Sequence, residues 1–327
     1  MAFSLEDMWV WDAWYIRDGS TIHMFFLHAP KSIGNADHRH FYASIGHAVS
    51  EDMINWAYQG PVIKPSVEPA WDDLATWTGC VVKRTDGQWM MFYTGTSRAE
   101  RGHIQRIGSA LSSDLYAWKK MSGQPTVTVN KNYYATLDDP RFTDEACRDP
   151  HVFRDPDGNG WHMYFTASGL RDNLLENGVI GHATSQDLET WEVQAPIFEG
   201  DLYGELEVPE VIEINGCWYL LFSTSARMIS EAYRSRRTTA PETGTHYLSS
   251  TNGPLGPWEL TQERFVLGDT QERYYVARKT PDPNGQLSLI AFNNLDADGN
   301  FMGGLSDPIP FGVLPDGALR ATATEFT

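Results

Sequence analysis

One short phrase recurs along the chain at a nearly constant spacing and limits the folds that the chain can adopt. Each copy runs from glycine through a small apolar stretch to serine, and then to a tryptophan a few residues later. Three full copies lie at residues 46–53, 108–115 and 181–188, and a fourth, less regular copy lies at 248–250. The tryptophans are Trp56, Trp118, Trp191 and Trp258, which lie 62, 73 and 67 residues apart. A period of this size with several strands per unit predicts the blades of a β-propeller.

A second phrase, a polar turn followed by an aromatic strand, keeps the same spacing. Its five turns are Asp18-Gly19, Asp86-Gly87, Asp157-Gly158, Asn215-Gly216 and Asn284-Gly285. Asp-Gly and Asn-Gly pairs favour tight hairpins, and no stretch of the chain shows a sustained helical period. The sequence therefore predicts an all-β protein, a five-bladed β-propeller that forms a single domain over residues 1–327. The predicted blades span 9–60, 75–125, 146–196, 206–262 and 272–327.

Charge and cysteine content restrict the partners and the compartment. The net charge is −18, from 25 basic and 43 acidic residues, and such a field repels nucleic acid and suits a small neutral or cationic ligand. No segment approaches 18 apolar residues, so we expect no membrane span. Cys80, Cys147 and Cys217 form no CxxC pair, and residues 1–8 lack a signal-like stretch. These features predict a cytoplasmic protein and leave its oligomeric state open.

The strand that precedes each polar turn is expected to line the central channel. The five segments that lie there are 9–14, 77–80, 148–151, 205–210 and 273–275. Three of them carry acidic residues, beside arginine and several aromatic rings. Carboxylates crowded on one axis repel each other, and they suit glycoside cleavage, in which one acts as an acid and another as a nucleophile or base. The competing interpretation is that they cap turns or bind a structural cation.

No cofactor or metal is predicted from the remaining motifs. His38 and His40 could form a metal pair, but the sequence offers no third ligand nearby, and a polar loop is favoured. The cysteines that flank the channel segments, Cys80 and Cys147, are expected to be packed in the core because thiol catalysis would need a base partner.

At the channel segments the chain resembles the five-bladed propeller glycosidases, and most of all the fructan-active glycoside hydrolase families 68 and 32. Val-Trp-Asp-Ala-Trp at 10–14 is similar to the nucleophile segment of family 68, and Arg-Asp-Pro at 148–150 matches a motif of both families. Glu-Leu-Glu at 205–207, Trp-Thr-Gly at 77–79 and Ser-Ala-Arg at 225–227 are similar to further family 68 segments.

The resemblance implies a role for each matching residue. Asp12 would be the nucleophile, Glu207 the general acid and then the base, and Asp149 the residue that stabilises the transition state. The residues implied in substrate binding are Trp11, Trp77, Thr78, Arg148, Glu205 and Arg227. Two positions depart from the family 68 pattern, since Val208 replaces an arginine and Thr78 a serine.

The favoured function is a retaining β-fructofuranosidase that acts on sucrose or a related small fructoside, by hydrolysis or by transfer to a small acceptor. One alternative is an inverting α-arabinofuranosidase or β-xylosidase on the same fold, in which Asp12 would activate water. Another is a carbohydrate-binding propeller without catalysis, which would lack a complete acid and nucleophile pair. The segments around Asp12 and Glu207 favour the first of these.

Overall fold

Each copy of the repeat forms one four-stranded antiparallel sheet in which the strands follow each other in chain order. The structure is a computed structural model that describes residues 3–282 and 284–322. Five such sheets build the predicted all-β, five-bladed propeller, which is a single domain. The ends of the predicted domain, residues 1–2 and 323–327, lie outside the described residues, and so does the last part of the predicted fifth blade.

In the part of the chain that the structure describes, twenty strands, four to a blade, follow each other from the channel outwards. In the first blade they are β1 (Met8–Asp18), β2 (Thr21–Pro30), β3 (Ser44–Ser50) and β4 (Ala57–Ile63). In the second they are β5 (Ala75–Lys83), β6 (Trp89–Thr96), β7 (Gln105–Ser112) and β8 (Lys119–Lys120). In the third they are β9 (Cys147–Arg154), β10 (Trp161–Ser168), β11 (Gly178–Ser185) and β12 (Glu192–Glu199).

The fourth and fifth blades have the same order with shorter outer strands. The fourth consists of β13 (Glu207–Ile214), β14 (Cys217–Thr224), β15 (Thr243–Ser250) and β16 (Leu267–Asp269). The fifth consists of β17 (Tyr274–Lys279), β18 (Ser288–Asn293), β19 (Ile309–Val313) and β20 (Leu319–Ala321).

Helical structure in the described residues is confined to short loop segments. The one α-helix, α1, is Glu231–Arg234, and it lies in the loop between β14 and β15. The 3₁₀ turns are Lys31–Ile33, Ala36–Tyr42, Leu174–Glu176 and Ala226–Met228. No helix in the part of the chain that the structure describes is long and apolar enough to cross a membrane.

The repeated phrase forms the turn between the third and fourth strands of a blade. In the second blade, the Ser112 hydroxyl accepts the backbone N–H groups of Asp114 and Leu115 at 3.2 and 2.9 Å. The Trp118 indole N–H then donates to the Leu115 carbonyl at 3.0 Å, and Leu115 has a positive φ of 69°. The turns at 50–56 and 185–191 have the same bonds. The phrase therefore recurs because it satisfies the backbone polar groups of a tight turn.

The tryptophan that ends this turn also joins neighbouring blades. Trp118 packs edge-on against Phe25 of β2, with ring centroids 5.6 Å apart. Trp191 packs in the same way against Phe92 of β6, at 5.5 Å. Because edge-to-face aromatic pairs stabilise buried contacts beyond the area they remove from water, these two tryptophans hold the second blade to the first and the third blade to the second.

The ring closes between the first and last blades through backbone contacts. Phe3 pairs with Leu305 as an isolated bridge, and the Leu305 N–H donates to the Phe3 carbonyl at 2.8 Å. The Gly304 N–H donates to the Val10 carbonyl at 2.7 Å. Val10 lies on the inner strand β1, so the closure reaches the wall of the central channel.

Candidate active site

Every inner strand carries a β-bulge at an equivalent position. The pairing register shifts at Asp12, at Thr78, next to Asp149, and at the Val208 and Val276 positions of the last two blades. Asp12, Asp149, Val208 and Val276 have positive φ angles of 26, 58, 50 and 48°. A positive φ is strained in a residue with a side chain, above all in a β-branched valine, and such strain concentrates at functional sites. Bulges redirect side chains, which here places the residues around the axis.

These inner strands surround a cavity of about 570 Å³ that opens at one end of the channel. All nine residues that the sequence analysis singled out line it. They are Trp11, Asp12, Trp77, Thr78, Arg148, Asp149, Glu205, Glu207 and Arg227. The volume lies within the range of small-molecule sites.

Asp12 lies deep in this pocket and is poorly solvated. The Thr78 hydroxyl from β5 donates a hydrogen bond to the Asp12 carboxylate. Burial, followed by the charge of Asp149, raises the pKa of Asp12 to about 7, and the Thr78 hydrogen bond acts against this rise. The Asp12 carboxylate therefore gains its full charge only above neutral pH, while threonine here makes the contact that a serine hydroxyl would make.

Arg148 is buried and ties together the other carboxylates of the pocket. Its Nη2 atom donates to Glu207 at 2.8 Å and to Glu205 at 3.1 Å, and its Nε lies 3.5 Å from Asp149. Its Nη1 donates to the Gln105 amide oxygen at 3.1 Å. A buried guanidinium with such partners fixes carboxylates in place, because a planar fork allows few orientations.

Asp149 accepts hydrogen bonds from the third and fourth blades. The Thr166 hydroxyl donates to its Oδ2 atom at 2.9 Å, and the backbone N–H of Val208 lies 3.3 Å from the same oxygen. Burial raises the pKa of Asp149 to about 6, although Arg148 opposes the rise. The strained Val208 backbone thus supplies a donor to Asp149, which explains why the bulge is placed there.

Glu205 and Glu207 form a close acidic pair on the far side of the pocket. Tyr275 donates its hydroxyl to Glu207 Oε2 at 2.6 Å, and burial together with the charge of Glu207 raises the Tyr275 pKa well above its usual value. The charge of Glu207, followed by burial, raises the pKa of Glu205 to about 7. Glu205 therefore tends to keep its proton near neutral pH, next to the carboxylate of Glu207.

The 3₁₀ segment Ala36–Tyr42 forms the wall beside the two tryptophans. The Trp77 indole N–H donates to the His40 carbonyl at 2.7 Å, and the His40 ring packs edge-on against Trp11 and Trp77 at 5.8 and 6.2 Å. Burial lowers the pKa of His40 to about 3, so the ring is neutral. The aromatic rings are held in place by a segment that the sequence analysis interpreted as a polar loop.

At the mouth of the pocket, Arg227 lies on the short turn Ala226–Met228. The Ser225 hydroxyl caps this turn by accepting the Arg227 N–H at 3.3 Å, which leaves the guanidinium exposed. Glu205 has 38% of its side chain exposed and Glu207 24%, so Glu205 also lies nearer to the mouth.

Several pocket residues had no role in the sequence analysis. These are Arg39, Gln105, Asp144, Glu272, Tyr275 and Asn294. Tyr275 could have been found, because it lies on the first strand of the fifth blade with the other channel segments. Arg39 could not, since it comes from a loop outside the repeat. Within the described ranges no cluster of three or more His, Cys, Asp or Glu side chains is arranged to hold a metal ion.

Comparison with known proteins gives one family and a consistent set of relatives. The family described as "Glycosyl hydrolases family 32 N-terminal domain" matches residues 14–297. An extracellular sucrase of Zymomonas mobilis is 26% identical over 307 residues, which cover 80% of this chain and 71% of that protein. A levansucrase of the same organism is 25% identical over 317 residues, covering 83% and 71%.

A solved structure agrees with the observed fold along nearly the whole chain. Inulosucrase from Halalkalicoccus jeotgali bound to kestose superposes with a TM-score of 0.78 at 21% identity, and covers 99% of this chain and 92% of that one. A likeness at this level of identity shows the shared propeller.

The relatives also correct one prediction. The expected cytoplasmic location is wrong, because the matched sucrase is named extracellular. The thiols on which the expectation partly rested do not discriminate between compartments: Cys80 and Cys147 are buried, and burial raises the pKa of Cys80 to about 12. Thiols that are protonated and inaccessible stay reduced in either environment.

Proposed function

The chain belongs to the glycosyl hydrolases family 32 N-terminal domain family, and on that premise we propose that it cleaves sucrose or a related small β-fructofuranoside with retention of configuration. The enzyme is a glycoside hydrolase with the propeller of the sucrose-cleaving, fructosyl-transferring enzymes. The observation that supports the proposed roles best is the single pocket in which Asp12 faces Asp149 and Glu207.

In the first step, the Asp12 carboxylate attacks the anomeric carbon of the fructosyl unit. Glu207 gives its proton to the glycosidic oxygen, the bond from carbon to oxygen breaks, and the aglycone leaves as an alcohol. A fructosyl ester of Asp12 remains. Glu205, whose pKa is raised to about 7 by the charge of Glu207 and by burial, holds a proton beside this proposed acid.

In the second step, water or a sugar hydroxyl attacks the ester. Glu207 now takes the proton of the attacking group, and Asp12 leaves as a carboxylate, so that two inversions give net retention. Hydrolysis and transfer differ only in this attacking group. Glu205 and Arg227, which lie nearest to the mouth, are the residues proposed to hold the aglycone and then the acceptor.

The remaining polar groups stabilise the positive charge that develops on the sugar ring. Asp149 is proposed to act beside the anomeric centre, held by Thr166 and by the Val208 N–H. Arg148 is proposed to hold ring hydroxyls together with Asp149. Such donors and acceptors are in place before substrate arrives, which lowers the barrier without further reorganisation.

Substrate screening with one matched pair of variants tests this function. Wild-type enzyme is expected to release fructose or a fructosylated acceptor from sucrose and short inulin-type fructans, and nothing from nitrophenyl arabinofuranoside or xyloside. Asp12→Asn should lose several powers of ten in kcat, on the order of 4–8 kcal/mol of barrier. Asp18→Asn is the control, because Asp18 lies exposed at the end of the same strand.

Azide separates the retaining from the inverting mechanism. In a retaining enzyme the wild-type product keeps the configuration of the substrate, whereas Asp12→Ala, which leaves room for azide beside the anomeric carbon, should give a fructosyl azide of inverted configuration. An inverting enzyme would give inverted products in both cases. Wild-type turnover of arabinofuranosides without any release of fructose would overturn the proposed substrate, and sucrose cleavage with inversion would overturn the nucleophile.

A further inference from the structure

One cation of the pocket lies apart from Arg148 and comes from outside the blade repeat. Arg39 lies in the 3₁₀ segment Ala36–Tyr42, between β2 and β3. Its guanidinium carbon lies 3.8 Å from the ring centroid of Phe301 and 5.5 Å from that of Trp11. Arg39 therefore reaches from the first blade to a residue of the fifth across the nucleophile side of the pocket.

The Arg39 side chain is held in place more by stacking than by hydrogen bonds. Its Nη1 donates to the Ala36 carbonyl at 3.0 Å within its own turn. Its Nε is buried and has no hydrogen-bond partner among the described residues. A buried donor without a partner is unfavourable, so hydrogen bonding does not explain why the Arg39 side chain lies here. The attraction between the guanidinium charge and the faces of the two aromatic rings explains it better.

Arg148 and Arg39, two of the three arginines that line the pocket, lie near different carboxylates. Arg148 interacts with Asp149, Glu205 and Glu207. Asp12 is faced by Asp149 from β9 and Glu207 from β13, which both disfavour its charge, and by the Thr78 hydroxyl from β5. Arg39 is the cation that most favours the charged form of Asp12, and Asp12 in turn favours the charge on Arg39.

The neighbours of Arg39 leave it as the source of positive charge on this side. His40 is neutral, because burial and the nearby arginines lower its pKa to about 3. Burial lowers the pKa of Arg39 to about 10, which still leaves the guanidinium charged at neutral pH. On the fifth blade, β17 contributes Tyr275, whose hydroxyl is engaged with Glu207.

We infer that Arg39 is a positioning residue for the nucleophile: clamped between Trp11 and Phe301, it places a positive charge on the side of the pocket where two other carboxylates crowd Asp12. The inference rests on the proposed function, since it takes Asp12 as the nucleophile. It assigns the Ala36–Tyr42 segment a part in the chemistry, beyond its contact with the tryptophan rings.

The pH profile of kcat/KM on sucrose tests the inference with three variants. Arg39→Met removes the charge, Arg39→Lys keeps it, and Arg154→Met is the matched control, because Arg154 stacks on Trp161 at 4.1 Å but does not line the pocket. The acid limb of Arg39→Met should move up by about one pH unit. Its activity should then fall about ten-fold at pH 6 and change little above pH 8, with the limb restored in Arg39→Lys.

A second measurement does not depend on turnover. Between about pH 5 and 8 a buried Asp12 that must ionise destabilises the native state, so thermal stability should fall more steeply with pH in Arg39→Met than in wild type. Placing both variants on an Asp12→Asn background should remove that difference. If Arg39→Met fails to fold, Arg39→Gln serves in both measurements.

The outcomes separate the inference from the function. Sucrose cleavage that Asp12→Asn abolishes, with an Arg39→Met profile that superimposes on wild type, would overturn the inference and leave the function standing. An equal shift in Arg39→Lys or Arg154→Met would also overturn it, because charge in the pocket would then not be the cause. If the wild type cleaves no fructoside, the function fails, and the stability measurement still decides whether Arg39 favours ionised Asp12.

Discussion

Two features recur around the ring but differ in charge and in backbone strain. One is the set of inner-strand bulges, at residues 12, 78, 149, 208 and 276. The other is the set of Ser-Asp-Trp turns, at 50–56, 112–118 and 185–191. The turns satisfy their own backbone groups, and those at 112–118 and 185–191 pack a tryptophan on the preceding blade. The bulges place carboxylates against each other, and four of the five have positive φ angles. A repeated position can therefore serve stability in one part of a blade and chemistry in another.

The largest expected effect lies at the inner strands. Glu207→Gln removes the proposed acid and should lower kcat on sucrose by roughly 10²–10⁴-fold. An aryl fructoside with a good leaving group should lose much less, because its departure needs no proton. Steady-state kinetics on both substrates measure the difference. If Glu205→Gln showed this leaving-group dependence and Glu207→Gln did not, Glu205 would be the acid.

The opposite result is expected at a Ser-Asp-Trp turn. Trp118→Ala should cost about 3–5 kcal/mol in the free energy of unfolding, since it leaves a cavity against Phe25, while the folded fraction keeps its kcat. Trp118→Phe retains a ring and loses the bond to the Leu115 carbonyl, so it should cost less. Urea unfolding and active-site-normalised kinetics test both. A catalytic loss in fully folded Trp118→Phe would contradict the separation of the two regions.

A third variant, Asp12→Asn, tests whether the carboxylate at the first bulge reduces the stability of the fold. The pKa of Asp12 in the native state is about 7, above its value in the unfolded chain, so its favourable contribution is present below about pH 4 and is lost as the pH rises through 7. Asp12→Asn should therefore be more stable than wild type by ~2–4 kcal/mol near pH 8, and should have no such advantage near pH 4. Thermal unfolding across this pH range measures the difference, with Asp18→Asn as the control. An absent or reversed trend would contradict the prediction.

The smallest expected effect concerns one hydroxyl of a turn. Ser112→Ala removes the acceptor of two backbone N–H groups and should cost about 1 kcal/mol of unfolding free energy. Ser113→Ala is the matched control, because the neighbouring Ser113 is exposed. Equal unfolding midpoints for the two variants would mean that water replaces the lost acceptor.

The sequence predicted the fold because the turns have local chemistry that recurs. Ser112 and Trp118 have the same bonds as their counterparts at 50–56 and 185–191, so their spacing predicted the repeat, and the five Asp-Gly or Asn-Gly turns predicted the number of blades. Asp12 was accessible by the same argument, since it lies on a strand that the repeat locates. The roles assigned to the pocket residues remain predictions that the variants above test.

Other features lie outside what such a pattern contains. A positive φ at Val208 runs against the preference of β-branched residues, so no local signal predicts it. Arg39 reaches the pocket through a loop with no counterpart in the other blades, and its partners Trp11 and Phe301 are distant in sequence. The prediction of a cytoplasmic location was wrong because buried thiols stay reduced in either compartment, so their presence does not indicate where the protein is found.

The backbone bond between Gly304 and Val10 has a consequence for the order of folding. It joins residues almost the full length of the chain apart, and contacts of such high sequence separation form late because closing a long loop costs entropy. Asp12 lies two residues from this bond. The blades can therefore acquire their strands while Asp12, the proposed nucleophile, still lacks its surroundings, and catalytic activity becomes a measure of the last event in folding, the meeting of the two ends of the ring.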